Sequence, residues 1–263
     1  RQRVDVIMKR RTFIKSTAIM VAAAGAGNAL KAAERLQSVP EPVAGPQEGD
    51  TASVEEETPV EGPLITSAPM LQNYAETSQG VAFAVGALAN GYVLVGERPD
   101  LGDARKVLCG GYRVTAIGDK VIQVRLTGLK PATKYYYRIG ADRIHYGGGD
   151  DMKILGNEED TGIHSFTTAG AKARAHFCVI NDTHVQWGPF GRAVEKIASL
   201  APAFVVWNGD ASNVEESVEA QTRIFLTPEI ARRDYAACTP YLFCPGNHDS
   251  RGMANRHLER VWM

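Results

Sequence analysis

Cysteine is scarce in this chain, and neither sign of charge dominates. The sequence has 4 cysteines in 263 residues and no Cys-x-x-Cys pair, which argues against a zinc knuckle or a dithiol redox site. The formal net charge is -1 at pH 7, and no basic cluster interleaved with aromatic residues follows the N-terminus. No nucleic-acid-binding surface is therefore evident. Cys178 and Cys244 lie in apolar runs, where we expect buried free thiols, although one disulfide stays open in an oxidising compartment.

The N-terminus has the pattern of an export signal rather than of a permanent membrane span. A basic stretch that includes Arg10, Arg11 and Phe13 precedes a short uncharged segment, residues 16–30, rich in small residues. This arrangement resembles the bacterial twin-arginine signal. The resemblance implies that residues 1–32 are a signal peptide, that the twin-arginine machinery is a partner, and that the protein is periplasmic or extracellular. The alternative is a basic amphipathic helix at the start of a cytosolic protein.

Residues 33–63 are predicted to form a disordered linker. The segment is rich in proline, carries an acidic run at residues 55–57, and has few large apolar residues. Such a composition cannot bury enough surface to offset the entropy of ordering the chain.

Residues 64–169 are predicted to form an antiparallel β-sandwich. Short runs that alternate between apolar and polar residues recur between turn residues, with strands expected near Gly80, Tyr92, Lys120, Tyr135 and His164. The sequence of residues 126–137, LTGLKPATKYYY, resembles the corner before the penultimate strand of fibronectin type III domains. The resemblance implies that Tyr135 is the corner tyrosine whose hydroxyl bonds to the backbone. His145 and His164 are expected to be structural or surface residues.

Residues 175–263 change to the pattern of an α/β domain. Unbroken apolar runs at residues 176–180, 203–207 and 241–244 indicate strands buried on both faces. Phe190, Val194 and Ile197 recur at helical spacing between the first two runs, and Pro189 suits a first helical turn. The order strand, helix, strand, helix, strand predicts a parallel sheet with right-handed crossovers.

Each of the three predicted parallel strands is followed by a polar segment. The segments read NDTH at residues 181–184, NGDASN at residues 208–213 and GNHD at residues 246–249. Because the carboxyl ends of parallel strands open onto one edge of a sheet, we expect these side chains to converge. Mixed oxygen and nitrogen ligands suit Mn, Fe or Zn.

Together, the three segments resemble the motifs of calcineurin-like metallophosphoesterases, which run Asp-x-His, Gly-Asp-x-x-(Asp or Asn) and Gly-Asn-His-(Asp or Glu). The resemblance implies a two-metal phosphoester hydrolase that acts on a small phosphoester. In this family Asp182 and His184 would bind the first metal, Asp210 would bridge both ions, and Asn247 would bind the second. The fold class is then mixed, with a fibronectin type III-like sandwich followed by the first half of an α/β metallophosphoesterase domain.

The resemblance also implies roles for the remaining polar residues of the motifs. His248 would stand near the leaving-group oxygen, oriented by Asp249, and Asn213 would hold its loop or contact phosphate. Two divalent or trivalent ions would make hydroxide from a bound water and would stabilise an in-line displacement. No covalent protein nucleophile is needed.

Two features depart from the family pattern. The family's three later histidines have no counterpart, because His257 matches neither of their motifs, and we expect a C-terminally truncated fragment with little activity of its own. The order of sandwich and phosphoesterase resembles purple acid phosphatases. Those enzymes have a tyrosine at the position of Asn213 and no histidine at the position of His184. The resemblance therefore does not imply a fixed ferric site.

Two other functions stay open from the sequence. The same metal centre would serve a phosphatase, a phosphodiesterase or a nucleotidase. A non-catalytic surface-binding module is the alternative from another class, with the sandwich holding a glycan or a protein.

Overall fold

The computed structural model describes residues 62–110, 120–148, 151–170, 176–214, 216–253 and 255–263. The predicted signal peptide and nearly all of the predicted linker lie outside these residues. Within the described parts of the chain, no helix is both long enough and apolar enough to cross a membrane.

Two sheets and three short helices account for the regular structure of the described residues. The strands are β1 Met70–Gln72, β2 Ser78–Ala84, β3 Ala89–Gly96, β4 Arg105–Leu108, β5 Val121–Thr127, β6 Lys134–Gly148, β7 Asp151–Glu159, β8 His164–Thr167, β9 Phe177–Ile180, β10 Phe204–Asn208 and β11 Tyr241–Cys244. The helices are α1 Trp187–Leu200, α2 Val218–Phe225 and the 3-10 helix η1 Asn255–Arg260, which contains His257.

All strand pairs in the smaller sheet are antiparallel, and all of its strands come from the predicted sandwich. Its order is β4-β3-β6-β7, and β8 also pairs with β6. The Tyr135 hydroxyl on β6 accepts a hydrogen bond of 2.9 Å from the backbone N–H of Lys130, the type of contact that the resemblance predicted. This bond holds the turn that precedes β6 against the strand.

The larger sheet joins the two predicted halves of the chain. Its order is β5-β2-β1-β11-β10-β9. Strand β1 pairs antiparallel with β2 and parallel with β11, where Gln72 lies opposite Tyr241. The pairs β11-β10 and β10-β9 are parallel, as the sequence predicted. The predicted boundary between residues 169 and 175 thus separates segments that contribute strands to one sheet.

The larger sheet has a hydrophobic core on each face. One core, which includes Leu71, Phe83 and Tyr137, lies between the two sheets. The other includes Trp207 and Tyr241 of the parallel strands and is covered by the two α-helices. Buried residues of α1 are Phe190, Val194 and Ile197, which is the face that the helical spacing predicted.

The prediction that the three parallel strands are buried on both faces is wrong. Strand β9 alternates between exposed and half-buried residues, with Phe177 53% and Val179 55% exposed. It lies at the edge of the sheet, and the helices cover the opposite face, so alternate side chains point away from the core. Cys178 is only half-buried, although it packs against the helix-covered core, and Cys244, the last residue of β11, is exposed, against the expectation of buried thiols. Cys178, Cys238 and Cys244 are free thiols.

Candidate metal centre

The carboxyl ends of β9, β10 and β11 bring the three polar segments together. The loop after β9 runs along the loop after β10, since the backbone N–H of Asp182 donates to the Gly209 carbonyl at 3.1 Å and that of His184 donates to the Asp210 carbonyl at 3.0 Å. The loop after β11 joins them, because the backbone N–H of His248 donates to Asp210 Oδ1 at 3.0 Å. The convergence expected from the parallel sheet is present.

Backbone strain is concentrated in these loops. Asp182, His184 and Asp210 have φ values of 51°, 45° and 52°, in the left-handed region that side chains other than glycine seldom adopt. Non-glycine residues in this region cost about 1 to 3 kcal/mol each and persist only where their surroundings hold them. Gly209, with φ of 80°, is packed so closely that an added Cβ would lie 2.8 Å from the Gly246 Cα. The loop after β10 therefore needs glycine at its start.

His184, Asp210 and His248 form a compact group of metal-binding atoms. One ligand atom of each lies within 4.8 Å of the other two, and all three side chains are half-buried. The two imidazole rings are nearly perpendicular, with centroids 4.6 Å apart. Imidazole and carboxylate ligands suit Mn, Fe or Zn, so the predicted ligands His184 and Asp210 fit the kind of ion that the sequence predicted, with the His248 ring beside them.

Hydrogen bonds to one ring nitrogen orient His184 for binding a metal. Its Nδ1 lies 3.1 Å from the Ser212 carbonyl and 3.1 Å from Asn213 Oδ1. Both partners accept, so Nδ1 carries the proton and donates, which leaves the lone pair on Nε2. Nε2 lies 3.7 Å from Asp182 Oδ1. His184 and Asp182 can therefore share one ion, as the resemblance implied.

Asp249 has a different role from the predicted one. Its side chain is fully buried and accepts from the backbone N–H groups of Asp210 at 2.7 Å, Gly246 at 2.8 Å and Ser212 at 3.0 Å, and from the Ser212 hydroxyl at 3.1 Å. These bonds tie the loop after β10 to the loop after β11. Asp249 acts by holding the loop that carries Asp210, whereas we had expected it to orient the His248 ring.

The His248 ring is held by other partners. Its Nδ1 lies 3.2 Å from the Asn213 carbonyl and 3.1 Å from Arg251 Nη1. The nitrogen can donate to the carbonyl or accept from the guanidinium, but a single nitrogen cannot do both at once. Arg251 thus brings a positive charge to the rim of the site.

The remaining predicted residues lie at the surface of the same site. Asp182 and Asn247 are exposed, and Asn181 donates a hydrogen bond to the Asp182 carboxylate. Asn213 is exposed and bonds both to the ring and, at 3.4 Å, to the carbonyl of His184, so it holds the loop. Sequence reasoning missed Ser212 and Arg251. An arginine two residues after the GNHD segment was the one available signal for a cationic contact.

Comparisons with known proteins give one family match and several solved structures of low similarity. The family model for calcineurin-like phosphoesterase matches residues 175–262. No curated protein matches the chain. Among solved structures, a purple acid phosphatase from yellow lupin (Lupinus luteus) seeds is 14% identical with a TM-score of 0.47, and the similarity covers 71% of this chain and 36% of that one. The sensor domain of the anti-sigma factor RsgI4 of Pseudobacteroides cellulosolvens is 13% identical with a TM-score of 0.26, covering 42% of this chain and 79% of that one.

This chain thus spans about a third of the length of the lupin enzyme. The matched residues 175–262 include all three polar segments and the strands that position them. The family match supports a metal-dependent phosphoesterase domain in this part of the chain.

Proposed function

We propose that this chain belongs to an exported bacterial phosphoester hydrolase with a two-metal centre at the carboxyl ends of β9, β10 and β11. The observation that carries the proposal is the grouping of His184, Asp210 and His248, supplied by three separate loops, within 4.8 Å. Two of these loops, those after β10 and β11, are also tied together by the buried carboxylate of Asp249. Export by the twin-arginine route rests on Arg10, Arg11 and Phe13 and on the short uncharged segment, residues 16–30, that follows them.

Four residues of the chain would bind the two ions of such a centre. Asp182 and His184 would hold one ion, Asn247 the other, and Asp210 both, since a carboxylate has two oxygens. Two such ions, when bound, bind a phosphoryl oxygen and lower the pKa of a bound water. The mixed ligands are compatible with Fe, Mn or Zn.

In this proposal His248 and Arg251 act on the substrate. A protonated His248 donates to the departing oxygen, which contributes about 10²- to 10⁴-fold in reactions of this type. When Nδ1 donates to the Asn213 carbonyl, the ring presents Nε2 to the site. The Arg251 guanidinium offers fork-shaped donors that match phosphate oxygens.

For the first half of the chain, we propose a fibronectin type III-like sandwich. Support comes from the antiparallel pairing of its strands and from the bond between the Tyr135 hydroxyl and the Lys130 backbone. The module shares a sheet with the parallel strands through β1, so it also supports the fold of the site.

Metal content and turnover of matched variants test these roles. In the longest available form of the protein, Asp210→Asn should lose both ions, Asn247→Ala should lose one, and His248→Ala should keep metal but lose turnover. Elemental analysis gives the metal content, and p-nitrophenyl phosphate and its bis-ester separate monoesterase from diesterase activity. Two metals and normal turnover in Asp210→Asn would refute the bridging role. Intact metal with no turnover of any phosphoester in the unmodified protein would favour the binding-module alternative.

A further inference from the structure

Arg251 is held next to His248 by the turn that follows β11. Its backbone N–H donates to the His248 carbonyl at 3.0 Å. Two further bonds brace this turn, since the Ser250 hydroxyl donates to the Gly246 carbonyl at 2.9 Å and the Asn255 side chain donates to the Ser250 carbonyl at 2.6 Å. The position of the Arg251 backbone relative to the candidate metal centre is therefore set by the fold.

The Arg251 guanidinium carries a positive charge that no carboxylate in the described parts of the chain neutralises. It forms no ion pair with these residues, and its side chain is exposed. Its contact with His248 uses one N–H donor, because Nη1 lies 3.1 Å from His248 Nδ1. A guanidinium has further donors in a planar fork, which fits the two oxygens of a carboxylate or a phosphate. The exposed side chain can therefore bind an anion.

The guanidinium lies on the leaving-group side of the site. This step rests on the proposed function, in which His248 Nε2 meets the departing oxygen of the substrate. Arg251 contacts the other ring nitrogen, Nδ1, so the imidazole ring lies between the guanidinium and that oxygen. The separation is the width of one ring and the length of two hydrogen bonds. An anionic group a few bonds away from the departing oxygen is therefore within reach of Arg251.

The other charged side chains of the site make an anionic leaving group dependent on Arg251. Among the site residues described above, Arg251 alone carries a permanent positive charge. Asp182, Asp210 and the buried Asp249 are carboxylates, which repel an anion. A neutral leaving group gains no comparable attraction from the guanidinium. Arg251 therefore favours a substrate with a charged leaving group over one with a neutral leaving group.

We propose that Arg251 selects phosphoesters whose leaving group carries a carboxylate or a phosphate within a few bonds of the departing oxygen. In the reaction, water adds its oxygen to phosphorus and the bond from phosphorus to the ester oxygen breaks. The ester oxygen leaves with a proton from His248, and the anionic group of the leaving group is unchanged. Arg251 binds that group equally before and during bond cleavage, so it acts on substrate binding and hence on KM rather than on kcat.

Two phosphonates that cannot be hydrolysed test the proposal by calorimetry on the manganese-loaded chain. 3-Phosphonopropionate carries a carboxylate on the leaving-group side, and propylphosphonate ends in a methyl group instead. The unmodified chain should bind the first more tightly by roughly 10- to 100-fold, the range for hydrogen bonds to a charged group. Arg251→Gln should bind both about equally, and Arg251→Lys, which keeps the charge without the fork, should lie between. Arg125→Gln removes an exposed arginine of β5, at the opposite edge of the larger sheet from β9, and should keep the preference.

Turnover in the longest available form of the protein gives a second readout. The substrates are 2-phosphoglycerate, its neutral counterpart glycerol 2-phosphate, and diphosphate, whose leaving group is itself a phosphate. Arg251→Gln should raise KM for 2-phosphoglycerate, for diphosphate or for both, which identifies the anion that is bound, and should leave KM for glycerol 2-phosphate nearly unchanged.

The outcomes separate this inference from the proposed function. A preference for 3-phosphonopropionate that persists in Arg251→Gln, or an equal loss of turnover on all three substrates, would overturn the role of Arg251 and leave the hydrolase intact. Elemental analysis checks that the variants hold equal metal. No metal-dependent binding of either phosphonate, together with no turnover, would refute the proposed function and this inference with it.

Discussion

Replacing Asp249 with asparagine tests how the loops of the metal centre are held. The carboxylate is fully buried, and each of its oxygens accepts two hydrogen bonds, Oδ2 from Asp210 and Gly246 and Oδ1 from the backbone and hydroxyl of Ser212. Asparagine has the same shape but one acceptor oxygen. Its NH2 group must face one pair of donors, and the least costly choice is the Ser212 pair, since that hydroxyl can turn to accept.

Asp249→Asn should lower the free energy of unfolding for two reasons. One buried N–H loses its acceptor, and the remaining hydrogen bonds weaken because their acceptor is no longer charged. Together these cost about 3 kcal/mol. For a domain of this size, each kcal/mol corresponds to roughly 2 to 4 °C in melting temperature, so Asp249→Asn should melt about 6 to 12 °C lower. The melt is followed by circular dichroism with a chelator present, because bound metal would add its own stabilisation.

Asp182→Asn is the matched control for this experiment. Asp182 lies in the same site, is exposed, and has φ of 51°, a conformation that asparagine tolerates well. Its substitution should change the free energy of unfolding by less than about 0.5 kcal/mol. Equal melting temperatures for the two variants would show that Asp249 does not hold the loops.

Two further predictions concern the sandwich and export. Tyr135→Phe removes the acceptor for the Lys130 N–H and should lower the free energy of unfolding by about 1 to 3 kcal/mol, measured by chemical denaturation. The control is Tyr136→Phe, which should lower it by less, because the Tyr136 ring only lies 5.0 Å below the Lys134 ammonium. A reporter fused behind residues 1–32 should be exported and processed, and replacement of Arg10 and Arg11 by lysine should stop both. Undiminished export would contradict the twin-arginine assignment.

The parallel half of the fold could be predicted because its signals are local and strong. Apolar runs, the helical spacing of Phe190, Val194 and Ile197, and three polar segments after three strands all follow from short stretches of sequence. The convergence of His184, Asp210 and His248 then follows from the geometry of a parallel sheet. Their proximity is confirmed, and the metal ions themselves stay a prediction.

Other features could not be read from the sequence because they depend on distant contacts. The pairing of β1 with β11 joins residues about 170 positions apart, and nothing local marks Gln72 as the partner of Tyr241. The exposure of Phe177 and Val179 depends on which face of the sheet the helices cover. The role of Asp249 was misjudged because adjacency to His248 in sequence suggested contact, while the buried carboxylate faces three backbone amides instead.

Electron paramagnetic resonance of the manganese-loaded protein tests the two-metal centre most directly. Two Mn²⁺ ions bridged by Asp210 would lie roughly 3.5 to 4 Å apart, close enough for their spins to couple. With two equivalents of Mn²⁺ bound, we predict the multiline spectrum of a coupled pair, replaced in Asp210→Asn by the six-line signal of isolated ions. A six-line signal alone from the unmodified protein, at any loading, would contradict a two-metal centre built on Asp210.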